Sequence, residues 1–355
     1  MIFILFVLLL VVWAAVLYLS LNKEEKKQEK KINWKETDFW KEFWLVQIQH
    51  PKFLEVYNKA SEYIIWADNL LKSIIVSLLA DGHILVEWMP GLAKTKTILV
   101  YSKLMDLDFK RIQFTPDMLP SDVIWGEIFD KKTGEFKTFL GPIFTNLLLA
   151  DEINRATPKV QSALLEAMQE RKVTIAGKTY ELPKPFFVMA TQNPIEQEWT
   201  FPLPEAQMDR FLMKIIVDYP SKEAEKQILD AYSKNIDDIE PILSKEELLE
   251  YQKEIEEILV PENVKQVIVD IVEKLRQQDE KILFGPSPRS SISLLKVAKV
   301  IAFLKGKQQV DFADVKPALL PVLRHRIKPS MKALVEKKPI ENIIVEKLLQ
   351  VWQQR

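Results

Sequence analysis

A chain of 355 residues with 49 basic and 50 acidic side chains has room for two compact domains, and its net charge of −1 gives no overall basic excess of the kind that marks a nucleic-acid-binding protein. The absence of cysteine excludes disulfides, thiolate metal sites and cysteine nucleophiles, and three scattered histidines make a histidine metal site unexpected. Glycine is scarce, with 8 residues, whereas tryptophan is frequent, with 9, and both counts are unusual for a globular protein.

The beginning of the chain predicts a membrane anchor. Residues 2–19 are apolar or aromatic without a break, close to the ~20 residues that a spanning helix needs. Five lysines follow between Lys23 and Lys31, and by the positive-inside rule they place the remainder of the chain in the cytoplasm. A cleaved signal peptide is the alternative, but a basic start and a small-residue cleavage site are missing. We therefore expect a single-pass membrane protein with residues 1–20 as the anchor and residues 21–45 as a charged linker.

Apolar runs and amphipathic patterns alternate from about residue 46 to residue 220. The predicted buried strands are Ile84–Glu87, Arg111–Phe114, Asn146–Ala150 and Phe186–Ala190, and helical patterns between them include Thr95–Met105 and Pro158–Glu170. This alternation predicts an α/β fold in which helices cover both faces of a parallel sheet. After Pro220 the strand signal fades, and residues 221–355 predict a small all-α domain.

The segment after the first predicted strand resembles a phosphate-binding loop. It consists of Trp88, Met89, Pro90, Gly91, Leu92, Ala93, Lys94 and Thr95. The pattern of such a loop is G-x-x-x-x-G-K-[ST], so Lys94 and Thr95 fit it, whereas Trp88 and Ala93 replace the two glycines. In these loops backbone N–H groups surround the phosphates, the lysine neutralises β and γ oxygens, and the hydroxyl binds Mg²⁺. Taken alone, the pattern also fits an ordinary loop that caps a helix.

Polar residues at two further strand ends favour a nucleotide site. Asp151 and Glu152 end a buried strand at the edge where α/β sheets bind ligands. Asp151 can complete a Mg²⁺ shell, and Glu152 can orient or deprotonate an attacking water. Asn193 follows another strand, where its amide can hold that water against the γ-phosphate, although a turn before Pro194 is another explanation. The sequence therefore predicts ATP and Mg²⁺ as cofactors, with Thr95 and Asp151 as metal ligands.

With these strand ends aligned, the chain resembles the MoxR family of AAA+ ATPases from about residue 65 to residue 327. The stretches that carry the resemblance are Leu79–His83, Pro90–Thr95, Ala150–Arg155, Ala190–Gln197, Pro204–Phe211, Ser287–Arg289 and Leu323–Arg326. The resemblance implies an AAA+ nucleotide-binding core over residues 46–220 and a helical lid over residues 221–355. It also implies that Asn193 is the sensor-1 residue, that Arg210 is an arginine finger reaching the γ-phosphate of a neighbouring subunit, and that Arg289 is sensor 2.

The resemblance extends to assembly and activity. It implies a ring oligomer, expected to be a hexamer, and a separate partner protein with a von Willebrand factor A domain. Two inserted hairpins, at Phe129–Phe144 and Lys172–Glu181, would face the ring pore or a client. We therefore expect a membrane-anchored ATPase that hydrolyses ATP to remodel or activate partner proteins. The alternatives are a nucleic-acid motor, against which the net charge of −1 argues, a metal-chelatase motor and a non-hydrolysing ATP-binding scaffold.

Four tryptophans stand where the family pattern has glycine, namely Trp66, Trp88, Trp125 and Trp199. Glycine serves where φ is positive or where backbone touches a ligand, and tryptophan does neither easily. A UGA codon, which certain bacterial lineages read as glycine, would produce this pattern if it were translated as tryptophan. We predict that some of these residues are glycines in the native protein; if Trp88 is genuine, the nucleotide site is impaired. The remaining tryptophans lie outside the region of resemblance and have no assigned role: Trp13, Trp34, Trp40, Trp44 and Trp352.

Overall fold

The computed structural model describes residues 47–89, 93–130, 135–175, 177–193, 200–230, 234–277 and 279–353. These residues lie within one compact unit. The predicted anchor and linker, residues 90–92 of the predicted phosphate loop and Trp199 lie outside the described residues.

The first part of this unit alternates strands and helices. Its elements are α1 (Pro51–Ser61), α2 (Asp68–Leu79), β1 (Ile84–Trp88), α3 (Lys94–Leu104), β2 (Phe109–Gln113), α4 (Pro120–Ile124), β3 (Trp125–Asp130), β4 (Glu135–Leu140), β5 (Leu147–Asp151), α5 (Pro158–Glu170), β6 (Lys172–Ile175), β7 (Lys178–Glu181), β8 (Phe187–Gln192), α6 (Glu205–Met208) and β9 (Met213–Val217). A parallel five-stranded sheet has the order β2-β5-β8-β1-β9. The predicted parallel α/β fold is confirmed.

Burial explains which strands the sequence predicted well. The strands β5 and β8 lie inside the sheet, and their side chains are almost entirely buried, so they have continuous apolar sequences. The strand β9 lies at an edge of the sheet, and Lys214 interrupts its apolar run. The sequence pattern does not predict β9, because this lysine breaks its apolar run; in the structure Lys214 pairs with Glu87 of the neighbouring strand β1.

Two antiparallel hairpins leave the sheet. The strands β6 and β7 pair from Lys172 to Glu181, as predicted. The strands β3 and β4 pair from Trp125 to Leu140. This hairpin therefore begins and ends a few residues earlier than the predicted hairpin, Phe129–Phe144. Whether either hairpin faces a pore stays a prediction.

The part after β9 is mainly helical. Its elements are α7 (Lys222–Asp230), α8 (Lys245–Glu257), α9 (Glu262–Arg276), β10 (Ile282–Phe284), α10 (Pro288–Leu304), α11 (Phe312–Val315), α12 (Leu319–Leu323), β11 (Lys328–Pro329), α13 (Met331–Val335) and α14 (Ile340–Gln353). Ser244 starts α8 with a capping box that includes Glu247, and Ser287 caps α10. The expectation of an all-α domain is wrong at β10 and β11, which form a short antiparallel ribbon. Such a ribbon is too short to give a strand pattern in the sequence.

The predicted membrane location needs correction. Among the described residues, no helix is long and apolar enough to cross a bilayer. The longest of them, α10, has 17 residues and spans roughly 26 Å, less than the ~30 Å of a hydrocarbon core. The predicted anchor, residues 1–20, lies outside the described residues. This finding contradicts the predicted single-pass membrane location.

Candidate active site

Three strands bring the predicted site residues to one edge of the sheet. The strands β1, β5 and β8 are parallel neighbours, so their carboxyl ends meet there. Lys94 Nζ lies 3.4 Å from Asp151 Oδ1, and the Thr191 hydroxyl donates to the same oxygen at 2.7 Å. Glu152 follows Asp151 directly, and the buried Asn193 follows β8. The structure therefore gathers four of the predicted residues, and we call this edge the carboxyl edge.

The loop between β1 and α3 leads into a helix N-terminus. Met89 leaves β1, while Pro90, Gly91 and Leu92 are outside the described residues. Ala93 has φ 53° and ψ 35°, a left-handed conformation that costs a non-glycine residue ~1 kcal/mol or more. This is the second glycine position of the phosphate-loop pattern, so the backbone here has the turn that glycine normally supplies. Lys94 and Thr95 then form the first turn of α3, where backbone N–H groups favour anions.

Trp88 lies inside the sheet rather than on the surface of the loop. Its side chain is 0% exposed, and it pairs with Val217 of β9. The indole Nε1 has no hydrogen-bond partner among the described residues, and such an orphaned donor costs about 1–3 kcal/mol. Trp66 Nε1 is also buried, and it too has no hydrogen-bond partner in the part of the chain that the structure describes. These orphaned groups are compatible with the predicted glycines but do not test them, so the prediction stands.

Asp151 is held as a carboxylate by cations and a hydroxyl. Its side chain is 6% exposed, and Arg111 Nη2 lies 2.7 Å from its Oδ2. Burial raises the pKa of Asp151, but hydrogen bonds from Thr191 and Arg111 and the charge of Lys94 outweigh that effect, so the pKa lies below its ordinary value. At neutral pH the side chain is therefore ionised and available to a cation.

Glu152 has a strained backbone and several partners. Its φ is 57°, which places it in the left-handed region. The Thr191 hydroxyl accepts its backbone N–H at 3.0 Å. Gln113 Nε2 donates to Glu152 Oε2 at 2.8 Å, and Arg155 lies 3.2 Å from the same oxygen. Because backbone strain concentrates at functional sites, this conformation agrees with the predicted importance of Glu152.

Sequence reasoning missed the basic and amide groups that contact the two carboxylates. Arg111 and Gln113 alternate on β2, the strand beside β5, and Arg155 follows Glu152 by three residues. The available signal was the pair of polar residues near the end of β2. A single sequence does not show which strand lies next to β5.

The donor set fits magnesium. Among the described residues, no group of three histidine, cysteine or acidic side chains could hold a metal by itself. Magnesium is usually bound by one or two carboxylates together with substrate phosphates and waters, rather than by an all-protein cage. One ionised carboxylate, Asp151, and the hydroxyl of Thr95 are therefore suitable ligands when a nucleotide supplies the others.

The predicted arginines lie at the other edge of the sheet. Arg210 precedes β9 and Arg289 begins α10, and both line a cavity of about 380 Å³ beside His83, which precedes β1. From His83 to Trp88 the extended chain covers roughly 17 Å. The structure therefore does not bring Arg210 and Arg289 to Lys94 and Asp151. We call their location the amino edge.

Charge distinguishes the amino edge. Its cavity is lined by the cations Arg171, Arg210, Arg289, Lys296 and Arg326 and by the acids Asp81 and Asp209. Arg171 pairs with Asp81, and Arg326 pairs with Asp209. Within the part of the chain that the structure describes, Arg210 and Arg289 form no ion pair with a carboxylate. The cavity therefore favours an anion from outside the chain.

A buried arginine joins the lid side of this cavity to the core. Arg326 Nε lies 2.8 Å from Asp209 Oδ1, and its Nη2 donates to Phe211 O at 2.6 Å. Ser287, the cap of α10, donates to Asp209 as well, at 2.8 Å. Since Asp209 and Phe211 flank Arg210, these contacts fix the position of its backbone.

Comparison with known proteins now decides the family. A sequence model of the ATPase family associated with various cellular activities (AAA) matches residues 83–213, and one of the AAA lid domain matches residues 275–347. Chaperone MoxR1 of Mycobacterium tuberculosis is 44% identical over 299 residues, with 81% of this chain and 78% of the relative covered. The chain belongs to the MoxR family of AAA+ ATPases.

Two further proteins extend the comparison. The uncharacterized protein YeaC of Bacillus subtilis is 42% identical over 299 residues, covering 84% of this chain and 93% of that protein. A crystal structure of a Cytophaga hutchinsonii protein described as a candidate ATPase superposes with a TM-score of 0.79 at 41% identity, covering 84% of this chain and 93% of that one. The architecture is thus a MoxR-type AAA+ core followed by an AAA lid.

Proposed function

We propose that this MoxR-family protein binds ATP with Mg²⁺ and hydrolyses it in a ring of identical subunits. The observation that carries the proposal is the cluster of Lys94, Asp151, Thr191 and Glu152 beside a helix N-terminus. Phosphoryl transfer to water requires little covalent chemistry from a protein, so positioning and charge supply most of the catalysis. This cluster provides both.

Each residue at the carboxyl edge has a role in this proposal. Lys94 and the first turn of α3 neutralise and orient the phosphates. Thr95 and Asp151 would hold Mg²⁺, which would supply positive charge to neutralise the phosphates. Glu152 accepts a proton from the attacking water, and Asn193 fixes that water in line.

The amino edge completes the site of a neighbouring copy. Arg210 and Arg289 are too far from Lys94 of their own chain, as the roughly 17 Å extent of β1 indicates. Arginine stabilises charge on a transferring phosphoryl group well because its guanidinium is planar and always charged. In a closed ring, expected to be a hexamer, each subunit would present its amino edge to the next subunit's nucleotide.

Hydrolysis would serve to remodel another protein. One relative carries the name Chaperone MoxR1, and we propose chaperone-like work for this chain, with a partner that contains a von Willebrand factor A domain. If such a partner exists, its maturation should fail when Glu152 is changed to Gln. Normal maturation with that variant would contradict the partner proposal.

Glu152→Gln tests the ATPase itself. The change keeps the size of the side chain but removes the base, so turnover should fall by a factor on the order of 10²–10⁴ while ATP binding is retained. Glu166→Gln on α5 is the matched control, because Glu166 is exposed and lies outside the cluster. Binding without turnover in the unmodified protein would instead favour a non-hydrolysing scaffold, and turnover stimulated severalfold by DNA would favour a nucleic-acid motor.

A further inference from the structure

We propose that Gln161 is a positioning residue that fixes Glu152 and Asn193 relative to each other. The proposal rests on the ATPase function proposed above, in which Glu152 accepts a proton from the attacking water and Asn193 fixes that water in line. Gln161 lies on α5, and it acts on these two residues through the backbone that follows each of them.

The side chain of Gln161 is a polar group on the buried face of α5. It is 0% exposed, and it shares that face with the buried residues Leu164, Leu165 and Met168, which follow it at the spacing of a helix. Burial of an amide is unfavourable unless hydrogen bonds compensate for the lost water. The contacts of Gln161 therefore have to explain why a polar residue stands at this position.

Both N–H bonds of the Gln161 amide are used. Nε2 donates to Ile153 O at 3.1 Å and to Phe201 O at 2.8 Å. The reversed amide would place its own oxygen against these two carbonyl oxygens, so the two acceptors fix the orientation of the group. Phe201 N donates in turn to Asn154 O at 2.6 Å. Phe201 is thus attached to the turn Ile153–Arg155 both directly and through Gln161.

One of these attachments supports the strained backbone of Glu152. Its φ is 57°, and a residue in the left-handed region keeps that conformation only where its surroundings hold it. The Thr191 hydroxyl accepts the N–H of Glu152 at 3.0 Å, from β8. Gln161 binds the carbonyl oxygen of Ile153, the next residue, from α5. A strand and a helix therefore fix the backbone on both sides of Glu152.

The other attachment supports the chain after Asn193. Asn193 follows β8, which pairs with β5, the strand that ends before Glu152. Phe201 comes later in the chain, and its carbonyl oxygen is the second acceptor of Gln161. The segment that begins at Asn193 is therefore fixed at its start by the sheet and at its end by Gln161. One amide thus controls the backbone after both of the proposed catalytic residues.

Loss of these hydrogen bonds should affect the reaction more than the binding of ATP. A displacement of about 1 Å in a catalytic group can lower a rate by about 10²-fold. The phosphates, by contrast, would be bound by Lys94 and the first turn of α3, which is a different helix. We therefore expect Gln161 to influence kcat and to leave the KM for ATP almost unchanged.

Steady-state ATP hydrolysis by the full chain is the main test. Gln161→Met keeps the length of the side chain but removes both donors, so kcat should fall by about 30-fold while the KM for ATP stays within about twofold. Leu164→Val is the matched control, because it disturbs packing on the same buried face and leaves both donors in place. Its kcat should stay within about twofold of that of the unmodified protein.

A second variant guards against a simple loss of folding. Gln161→Glu changes one atom of the side chain, and its carboxylate oxygen would face the two carbonyl oxygens, so kcat should fall at least as far as in Gln161→Met. Circular dichroism selects the variants that fold. Unchanged kcat in either folded variant, or an equal loss of kcat in Leu164→Val, would overturn the positioning role.

Hydrogen exchange at the Phe201 amide tests the attachment without using activity. In Gln161→Met this amide should exchange at least about tenfold faster, because its segment is released, whereas Leu164→Val should change the rate by less than about threefold. Unchanged exchange in Gln161→Met would contradict the attachment. If the unmodified protein does not hydrolyse ATP, the proposed function fails and the positioning role with it. If it hydrolyses ATP and Gln161→Met keeps its kcat, only the positioning role fails.

Discussion

The two edges of the central sheet carry opposite kinds of chemistry. At the carboxyl edge, Asp151 and Glu152 are surrounded by cations of the same chain. At the amino edge, Arg210 and Arg289 line a cavity and have no carboxylate ion pair among the described residues. At the first edge, each carboxylate has a cation of the same chain as its partner. At the second edge, the positive charges of two arginines are not balanced by a carboxylate among the described residues. Under the proposed function, the parts of one reaction would be divided between the two ends of β1.

The edges also differ in how they are held. The acidic pair depends on hydrogen bonds between neighbouring strand ends, with Thr191 bonded to both Asp151 and Glu152. The arginines depend on a joint between core and lid, where the side chain of Arg326 is 2% exposed. A change in lid position should therefore reach the amino edge before it reaches the carboxyl edge.

The largest effect is expected from a test of whether the amino edge of one subunit acts on the carboxyl edge of the next. Arg210→Ala should lower turnover by about 10³-fold with ATP binding intact, because an arginine supplied in trans contributes that much to phosphoryl transfer. Mixing Arg210→Ala with Glu152→Gln subunits should restore part of the activity, since some interfaces then combine an intact acidic pair with an intact arginine. ATP turnover of the mixture, against each variant alone, is the measurement.

The mixing experiment has a clear opposite outcome. If the mixture shows only the average of the two inactive variants, Arg210 acts within its own chain or not at all. Lys159→Ala, which removes an exposed cation on α5, should leave turnover unchanged.

The next largest effect concerns the joint. Arg326→Met should lower the free energy of unfolding by about 3–5 kcal/mol, because it leaves the side chain of Asp209, which is only 15% exposed, without its charge partner. Arg289→Met, in the same cavity but exposed, should stay within about 0.5 kcal/mol. Denaturant unfolding compares the two. Equal effects would mean that Arg326 is not the joint between lid and core.

Substitution of Trp88 should change nucleotide binding at the carboxyl edge only. Trp88→Gly should tighten binding of an ATP analogue by about tenfold, because glycine frees the first position of the loop. Trp88→Phe removes the orphaned N–H but keeps a bulky residue, and should not give that gain. Calorimetric titration measures both, and no gain with glycine would contradict the predicted identity of this position. Mass spectrometry of the native protein reads the residue directly.

The smallest effect is a pH dependence at the carboxyl edge. The pKa of Asp151 is lowered in the folded state, so its stabilisation is present above the unfolded pKa and is lost as pH falls through the folded pKa. Thr191→Val removes one hydrogen bond and raises that pKa, so the variant should be less stable by about 1 kcal/mol at neutral pH. It should also lose less stability on acidification below about pH 4. Acid unfolding followed by circular dichroism is the measurement, and an unchanged pH slope would contradict the role of Thr191.

Much of the carboxyl edge could be predicted from the sequence. The buried strands β5 and β8 are continuous apolar runs that end in polar residues, and Lys94 and Thr95 follow β1 at the spacing of a phosphate loop. Local patterns of this kind depend only on neighbours along the chain. The roles given to Asp151, Glu152 and Asn193 stay predictions.

The missed features depend on neighbours in space. Nothing local in Arg111 or Gln113 indicates that β2 lies beside β5, and Lys214 hid β9 because its partner Glu87 is on another strand. The association of Arg289 with Arg210 required the joint through Asp209, which spans distant parts of the chain. Tertiary contacts of this kind leave no periodic signal in one sequence.

The outermost strands of the sheet bear on how copies of this chain can meet. An unpaired strand edge readily recruits another strand, and lysine or arginine on such an edge opposes that pairing. Here β2 carries Lys110 and Arg111, and β9 carries Lys214. Growth of the sheet from one molecule into the next is therefore disfavoured, which protects the protein from fibril-like aggregation. In the proposed ring, subunits would therefore meet through side-chain contacts rather than by continuing the sheet.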